Sequence, residues 1–139
     1  MSYFTWKPEF EIGHPLIDEQ HKQMLLLGEA MVDPLLNSAE HRPAAAQLQA
    51  LIDFTVEHFA FEEDLMLSAG YPEAEEHAKF HASLLAELET YCSRLQRGQH
   101  KNAPGLISFI WDWLSLHVDG QDRKLVNWLR TRESEGRAG

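Results

Sequence analysis

Histidines and carboxylates recur at helical spacing along this chain. His58 and Glu62 are four residues apart, and so are His77 and His81. Residues four apart lie on one face of an α-helix, about a turn from each other, so each pair projects in one direction. The residues of this kind fall at the positions that leucines occupy in the apolar pattern, which predicts that they point into a helical core. They are His21, His58, Glu62, His77, His81, His117 and Asp122.

Prolines and glycines divide the chain into an N-terminal arm and four long amphipathic segments. Pro15 suits the first turn of a helix, and Gly70 suits a left-handed helix end. The predicted segments run from Pro15 to about Leu35, from near Pro43 to Gly70, from Ala74 to about Leu95, and from near Pro104 to about Arg132.

Long helices with short connections predict an all-α fold, an antiparallel up-down-up-down four-helix bundle with an N-terminal arm. No segment alternates with the period of a strand. At 139 residues the chain has the length of one domain with a substantial core. We therefore expect a single domain over residues 1–139, with residues 1–15 as the arm and 133–139 as a flexible tail.

Composition indicates which classes of partner and which cellular compartment to expect. Twelve Lys and Arg against 22 Asp and Glu give a net charge of −10, which repels phosphate backbones and anionic membranes. We expect no nucleic-acid binding and no membrane insertion, because no apolar run approaches the ~20 residues of a membrane span. The N-terminus has no leader pattern, and the single Cys92 fits a reducing compartment. These features predict a cytoplasmic protein in which Cys92 is a core residue.

Five imidazoles and two carboxylates in one core predict a pair of metal ions. Buried unpaired groups of this kind cost several kcal/mol each, roughly, unless a metal compensates them. If both carboxylates and one solvent oxygen bridge two ions, three histidines complete six ligands on one ion. The other ion, with two histidines, then has five ligands and one open position. The alternative interpretation is a solvated polar network inside the bundle.

His117 and Asp122 do not fit a regular helix. Five residues at 100° each leave them about 140° out of phase. Either the helix is distorted or one of the two is not a ligand. Gly120 lies between them, and a one-residue π-bulge, a feature frequent at functional sites, would restore the phase.

Several motifs resemble the bacteriohemerythrins of the hemerythrin family over essentially the whole chain. They are Trp6, Gly13, IDEQHK, HFAFEEDLM, the YP turn followed by HAKFH, and WLSLHVDGQD. The resemblance implies two iron ions per chain joined by an oxo or hydroxo bridge. It places His77, His81 and His117 on one iron and His21 and His58 on the other, and Glu62 and Asp122 bridge them. Dioxygen is the ligand that the resemblance implies for the five-coordinate iron.

These observations favour reversible dioxygen binding, for storage, delivery or sensing, over enzymatic activity. The alternative is a di-iron redox enzyme acting on peroxide or nitric oxide. Oxygen-activating di-iron bundles commonly use Glu-x-x-His motifs, which the predicted ligands lack. Zinc is the rival metal, but structural zinc prefers four ligands and often Cys. We further expect a monomer, with an oxygen-consuming enzyme as the recipient of the oxygen.

Helix spacing together with the resemblance predicts an apolar oxygen pocket. Leu114 is three residues before His117 and is expected over the open position. Met24, Phe59 and Trp113 are the flanking candidates. Animal hemerythrins carry a Tyr three residues after the bridging Asp, where this chain has Leu125. Three histidines outside the pattern are expected to be ordinary exposed residues, namely His14, His41 and His100.

Overall fold

The structure, a computed structural model, describes residues 3–37, 42–99 and 102–138, and these ranges are helical with no strand. Four long helical segments form an antiparallel bundle, which confirms the predicted fold class. The fourth segment consists of two α-helices joined by a π-helix. The helices are α1 (Pro15–Asn37), α2 (Arg42–Ala69), α3 (Ala74–Gln96), α4 (Ala103–His117), the π-helix Val118–Asp122 and α5 (Arg123–Ala138). The expected exposed positions His41 and His100 lie outside the described residues.

Each helix buries the stripe of apolar residues that its sequence predicts. Leu48 and Leu51 of α2, Leu88 of α3 and Ile110 of α4 are fully buried in one core that runs along the bundle. Helices with one apolar face are stabilised chiefly by packing those faces together. Cys92 is also buried in this core, as expected.

The helix ends follow the local sequence closely. Gly70 and Gly98 adopt positive φ angles of 72° and 68°, a conformation that glycine tolerates without strain. Beyond each glycine the chain bonds back to the helix, from the Tyr71 N–H to the Met66 carbonyl at 2.9 Å and from the Gln99 N–H to the Arg94 carbonyl at 2.9 Å. These bonds satisfy carbonyls that a helix end would otherwise leave unpaired.

His14 differs from its predicted role as an ordinary exposed residue. Its ring is half-buried, and its Nδ1 accepts a hydrogen bond from the Ile17 N–H at 3.2 Å. The side chain therefore caps the first turn of α1, next to the Pro15 at which the helix begins. The prediction was wrong because histidine is seldom a helix cap.

The π-helix Val118–Asp122 lies between His117 and Asp122, where a distorted helix was one of the two alternatives that the sequence left open. In a π-helix the hydrogen bonds run from residue i to residue i+5, so residues five apart come close to one turn. His117 and Asp122 consequently face the same side, and their Nε2 and Oδ1 atoms lie 3.0 Å apart. The predicted distortion is confirmed.

The C-terminal residues differ from the predicted flexible tail. Helix α5 continues to Ala138, beyond the expected end near Arg132. The residues after Arg132 include Glu133, Glu135 and Arg137, which have good helix propensity, and no proline interrupts them. Among the described helices, none is long and apolar enough to cross a lipid bilayer.

The π-helix generates a prediction about chain length. Gly120 is exposed and nothing lies near the position of an added Cβ, so its deletion removes no packing. Deleting Gly120 shortens the spacing of His117 and Asp122 to four, which a regular α-helix accommodates on one face. We expect this deletion to retain metal binding, measured as metal per chain. Inserting one alanine after Gly120 is the matched control and should reduce it. More metal per chain in the insertion variant than in the deletion variant would contradict this account of the π-helix.

Candidate metal centre

The predicted histidines and carboxylates converge at one level of the bundle. Each of the four helical segments contributes at least one of them, and none is more than 2 % exposed. Helix α1 provides His21, α2 provides His58 and Glu62, α3 provides His77 and His81, and the fourth segment provides His117 and Asp122.

The possible ligand atoms of these residues form two overlapping groups. Within each group, one atom from every residue lies within 4.8 Å of the others. The two carboxylates belong to both groups, whereas each histidine belongs to one. The first group is Glu62, His77, His81, His117 and Asp122, and the second is His21, His58, Glu62 and Asp122. We call these the three-histidine group and the two-histidine group.

Asp122 lies between the two groups. Its Oδ2 accepts a hydrogen bond from His21 Nε2 at 2.7 Å, in the two-histidine group. Its Oδ1 faces the three-histidine group, at 3.1 Å from His77 Nε2 and 3.0 Å from His117 Nε2. The two oxygens of one carboxylate thus point to different sets of imidazoles, which is the arrangement that a bridging ligand requires.

Glu62 also lies between the two groups. Its Oε1 lies 3.5 Å from His58 Nε2 in the two-histidine group and 3.2 Å from His81 Nε2 in the three-histidine group. The Nε2 atoms of His77 and His117 are also near this oxygen, at 3.9 and 3.7 Å. Both carboxylates are therefore shared between the groups.

Unsatisfied polar atoms test whether these residues suit a metal. Among the described residues, the buried side-chain nitrogens and oxygens without a hydrogen bond belong, with the single exception of Trp113 Nε1, to these seven side chains. They include both oxygens of Glu62 and both ring nitrogens of His77 and His117. Leaving such atoms unpaired costs about 1–3 kcal/mol each. Histidine nitrogens and carboxylate oxygens facing one another are a suitable donor set for transition-metal cations.

Two polar residues orient histidines from outside the cluster. The Oε1 atom of Gln20 lies 2.6 Å from His58 Nδ1, and the Oε2 atom of Glu63 lies 3.3 Å from His81 Nδ1. A hydrogen bond at Nδ1 fixes the ring so that Nε2 faces the cluster. Neither residue was predicted from the sequence, although each adjoins a predicted ligand in the chain.

Burial and neighbouring charges move the pKa values of the metal-free cluster in opposite directions. Burial lowers the pKa of His58 to about 4, because desolvation outweighs the nearby carboxylates. For His117, burial also opposes the charged form, but the adjacent Asp122 and Glu62 outweigh it and raise the pKa to about 10. Despite their burial, Asp122 and Glu62 have pKa values below the usual range because histidines surround them. A proton on His117 therefore offsets part of the carboxylate charge until a cation replaces it.

A small cavity adjoins the two-histidine group. Its volume is about 10 Å³, near the smallest that accommodates one water molecule. It is lined by Trp6, Phe10, His21, Leu25 and Leu114. Apart from the His21 ring, its walls are apolar side chains.

The four residues expected in the oxygen pocket occupy different places. Leu114 lines this cavity, whereas Met24 is fully buried and is not among its lining residues. The Phe59 ring stacks on His81 with centroids 3.6 Å apart, and Trp113 packs edge-on against Phe59. Phe59 and Trp113 thus border the three-histidine group. The other apolar lining residues, Trp6, Phe10 and Leu25, were not predicted from the sequence to line this pocket.

Leu125 lies in a separate apolar cluster. It is fully buried and packs in that cluster with Met66 and Tyr71. The Tyr71 hydroxyl bonds to the Glu73 carboxylate, and burial next to that carboxylate raises the pKa of Tyr71 to about 12. Leu125 therefore extends the apolar packing beyond Asp122.

Comparison with known proteins agrees with this geometry. The model of the hemerythrin HHE cation binding domain matches residues 13–129. A bacteriohemerythrin of Pseudomonas paraeruginosa is 32 % identical over 97 % of this chain and 87 % of its own length. A myohemerythrin of Riftia pachyptila is 28 % identical over 88 % of this chain and 91 % of its own.

Solved structures give the same relationship. The crystal structure of a wild-type hemerythrin, 28 % identical, superposes with a TM-score of 0.78 and covers 86 % of this chain and 92 % of that one. A leucine-to-alanine mutant of hemerythrin gives a TM-score of 0.81 at 27 % identity, covering 88 % of this chain and 94 % of that one. From the matching family model and the relative above 30 % identity over most of its length, we conclude that this chain belongs to the hemerythrin family.

Proposed function

We propose that this protein reversibly binds dioxygen at a non-haem di-iron centre, for oxygen storage, delivery or sensing. One observation carries the proposal. Two groups, one of three imidazoles and one of two, share the same two carboxylates. A small apolar cavity adjoins the group with two histidines.

The ligands divide between two irons. His77, His81 and His117 would hold one ion, and His21 and His58 would hold the other. Glu62 and Asp122 would be shared by both ions, together with an oxo or hydroxo bridge from solvent. Counted in this way, the ion of the two-histidine group would be one ligand short of six, and this group is the one that adjoins the cavity.

The donor set favours binding of dioxygen over its cleavage. A bound pair of irons can supply electrons to dioxygen and take them back. This chain surrounds them with five neutral imidazole donors and two carboxylates, whereas oxygen-activating bundles commonly provide about four carboxylates. Fewer anionic ligands compensate high oxidation states of iron less well.

Apolar side chains exclude water and other polar molecules, which is the second requirement of the proposed function. Leu25 and Leu114 are buried beside His21, and they offer no hydrogen bond to water or to a proton donor. A polar molecule that entered would lose its hydrogen bonds to bulk water without replacement. The cavity therefore favours a small apolar ligand.

Other expectations remain predictions. They are the single-domain organisation, the monomeric state, the cytoplasmic location, and an oxygen-consuming enzyme as the recipient.

The function is tested by an optical cycle. The purified protein should hold two irons per chain, and its reduced spectrum should change in air and return under argon. Glu62→Ala should lose iron, because it removes a ligand of both ions, whereas Glu57→Ala at an exposed position of α2 should not. Iron content and visible absorption are the measurements. Irreversible oxidation accompanied by turnover of peroxide or nitric oxide would overturn the proposal in favour of an enzyme.

Metal uptake should depend on pH. At pH 7 His117 is protonated in the metal-free protein, since its pKa is about 10, and a metal at this nitrogen must displace that proton. His58, with a pKa of about 4, is already neutral and adds no such cost. Affinity for ferrous iron should therefore fall as the pH is lowered from 8 to 6, with release of at least one proton per chain. Anaerobic calorimetry in buffers of different ionisation enthalpy measures both quantities. Equal affinity at both pH values would contradict the assignment of His117.

Leu114→Ala should accelerate oxidation of the oxygenated protein to the ferric form. The truncation opens a cavity beside a polar site, and such a cavity can admit water. We expect retained iron, a several-fold faster decay of visible absorption in air, and an unfolding free energy lower by about 2–5 kcal/mol. Leu106→Ala is the matched control, because Leu106 is fully buried in α4 but does not line the cavity. A decay rate no faster than that of the control would mean that Leu114 serves packing alone.

A further inference from the structure

The N-terminal arm closes the cavity beside the two-histidine group. Trp6 and Phe10 belong to the arm, where Phe10 ends the short 3₁₀ helix Pro8–Phe10, and both line the cavity. The remaining lining residues, Leu25, Leu114 and His21, come from α1 and α4. The pocket is therefore complete only while the arm is in place.

Two carboxylates of α1 hold the two ends of the arm. Asp18 Oδ1 and Oδ2 accept hydrogen bonds from the N–H groups of Ile12 at 3.0 Å and Gly13 at 3.3 Å. Glu29 Oε2 accepts hydrogen bonds from the N–H groups of Tyr3 and Phe4, both at 2.9 Å. Hydrogen bonds to a charged acceptor are stronger than those between neutral groups. The arm is thus attached at two points, about 16 Å apart along the helix axis.

Between these points the arm is held mainly by aromatic contacts. Trp6 packs edge-on against Phe10, and Phe10 packs edge-on against Trp111 of α4, with centroids 5.6 and 5.8 Å apart. The ammonium groups of Lys22 and Lys7 lie 5.0 and 5.2 Å from the Trp6 and Trp111 rings. A polar contact joins Arg123 to the Glu9 carbonyl.

We propose that residues 5–11 form a strap over the ligand cavity, and that Asp18 and Glu29 are positioning residues that keep the strap closed. Trp6 and Phe10 are then part of the ligand pocket and limit the size of what reaches the two-histidine group. This inference rests on the proposed function, in which that group carries the open coordination position.

The size of the cavity defines the ligand class that needs the strap to open. A volume of about 10 Å³ admits little more than one water-sized molecule. A linear triatomic anion such as azide is longer than one water molecule and carries a charge that the apolar walls disfavour. Azide entry therefore requires the strap to move, and its association rate reports that movement.

The variants separate the strap from the metal ligands. Asp18→Ala and Glu29→Ala each remove one attachment, at opposite ends of the strap. Glu29→Gln keeps a carbonyl acceptor and should stay closer to the parent. Glu19→Ala is the matched control, since Glu19 is an exposed residue of α1 and its loss changes the net charge equally.

The principal measurement is azide binding to the oxidised, iron-loaded protein by stopped flow. We expect Asp18→Ala and Glu29→Ala to bind azide about tenfold faster than the parent, the change expected when opening no longer breaks a hydrogen bond to a carboxylate. Dissociation should accelerate equally, so that the Kd stays within about twofold. Glu19→Ala should match the parent in both rates.

Hydrogen exchange of the metal-free protein gives a second readout that does not involve iron. The amides of Ile12 and Gly13 should exchange faster in Asp18→Ala, and those of Tyr3 and Phe4 in Glu29→Ala. Faster exchange with an unchanged azide rate would overturn the gating role of the strap. Unchanged exchange in both variants would overturn the role of the carboxylates.

The azide and exchange experiments do not require reversible oxygen binding. A parent protein that binds azide but is oxidised irreversibly in air would contradict the proposed function and leave the strap supported by its own rates. Reversible oxygen binding combined with parent-like azide rates in both alanine variants would support the proposed function and contradict the strap.

Discussion

The main physical constraint on this structure is a buried cluster of ionisable side chains that have too few hydrogen-bond partners of their own. Within the described residues, almost every unpaired buried polar side-chain atom belongs to the five histidines and two carboxylates of the centre. Such a cluster destabilises a bundle core unless a cation is added. The apolar layers, with Leu48, Leu88 and Ile110 on one side and Met66 and Leu125 on the other, provide the packing that keeps the four segments together around it. A cation bound at this cluster would therefore also stabilise the folded chain.

Helical periodicity was sufficient to predict which histidines and carboxylates face the core and lie close together there. The spacing of four in His58 and Glu62 and in His77 and His81 predicted two shared faces, and the phase error at His117 predicted the π-helix. Periodicity describes a helix but gives no information about an extended segment, so the arm's share in the cavity could not be predicted from it. The same limit applies to the outer partners Gln20 and Glu63, which are ordinary polar residues until a histidine ring is placed beside them. The helical end of α5 was missed because a polar, charged sequence is compatible with both helix and disorder.

The two halves of the centre differ in more than the number of histidines. In the two-histidine group, the outer contact at His58 is the neutral amide of Gln20. In the three-histidine group, the outer contact at His81 is the carboxylate of Glu63, and the Phe59 ring covers the same imidazole. A carboxylate partner makes an imidazole a stronger donor than an amide does. The group with more histidines thus also contains the imidazole with a carboxylate partner, and the other group adjoins the cavity.

Asp122 connects parts of the chain that are made at very different times. Its contact with His21 joins residues 101 positions apart, and its other oxygen lies beside His77 and His117. Ribosomes add about 5–20 residues per second, and a domain of this size folds as a unit. A growing chain that already carries His21, His58, Glu62, His77 and His81 still lacks His117 and the second of the two carboxylates common to both groups. Both groups of possible ligands are therefore complete only after synthesis has passed the π-helix, and a pair of metal ions would be loaded only at that stage.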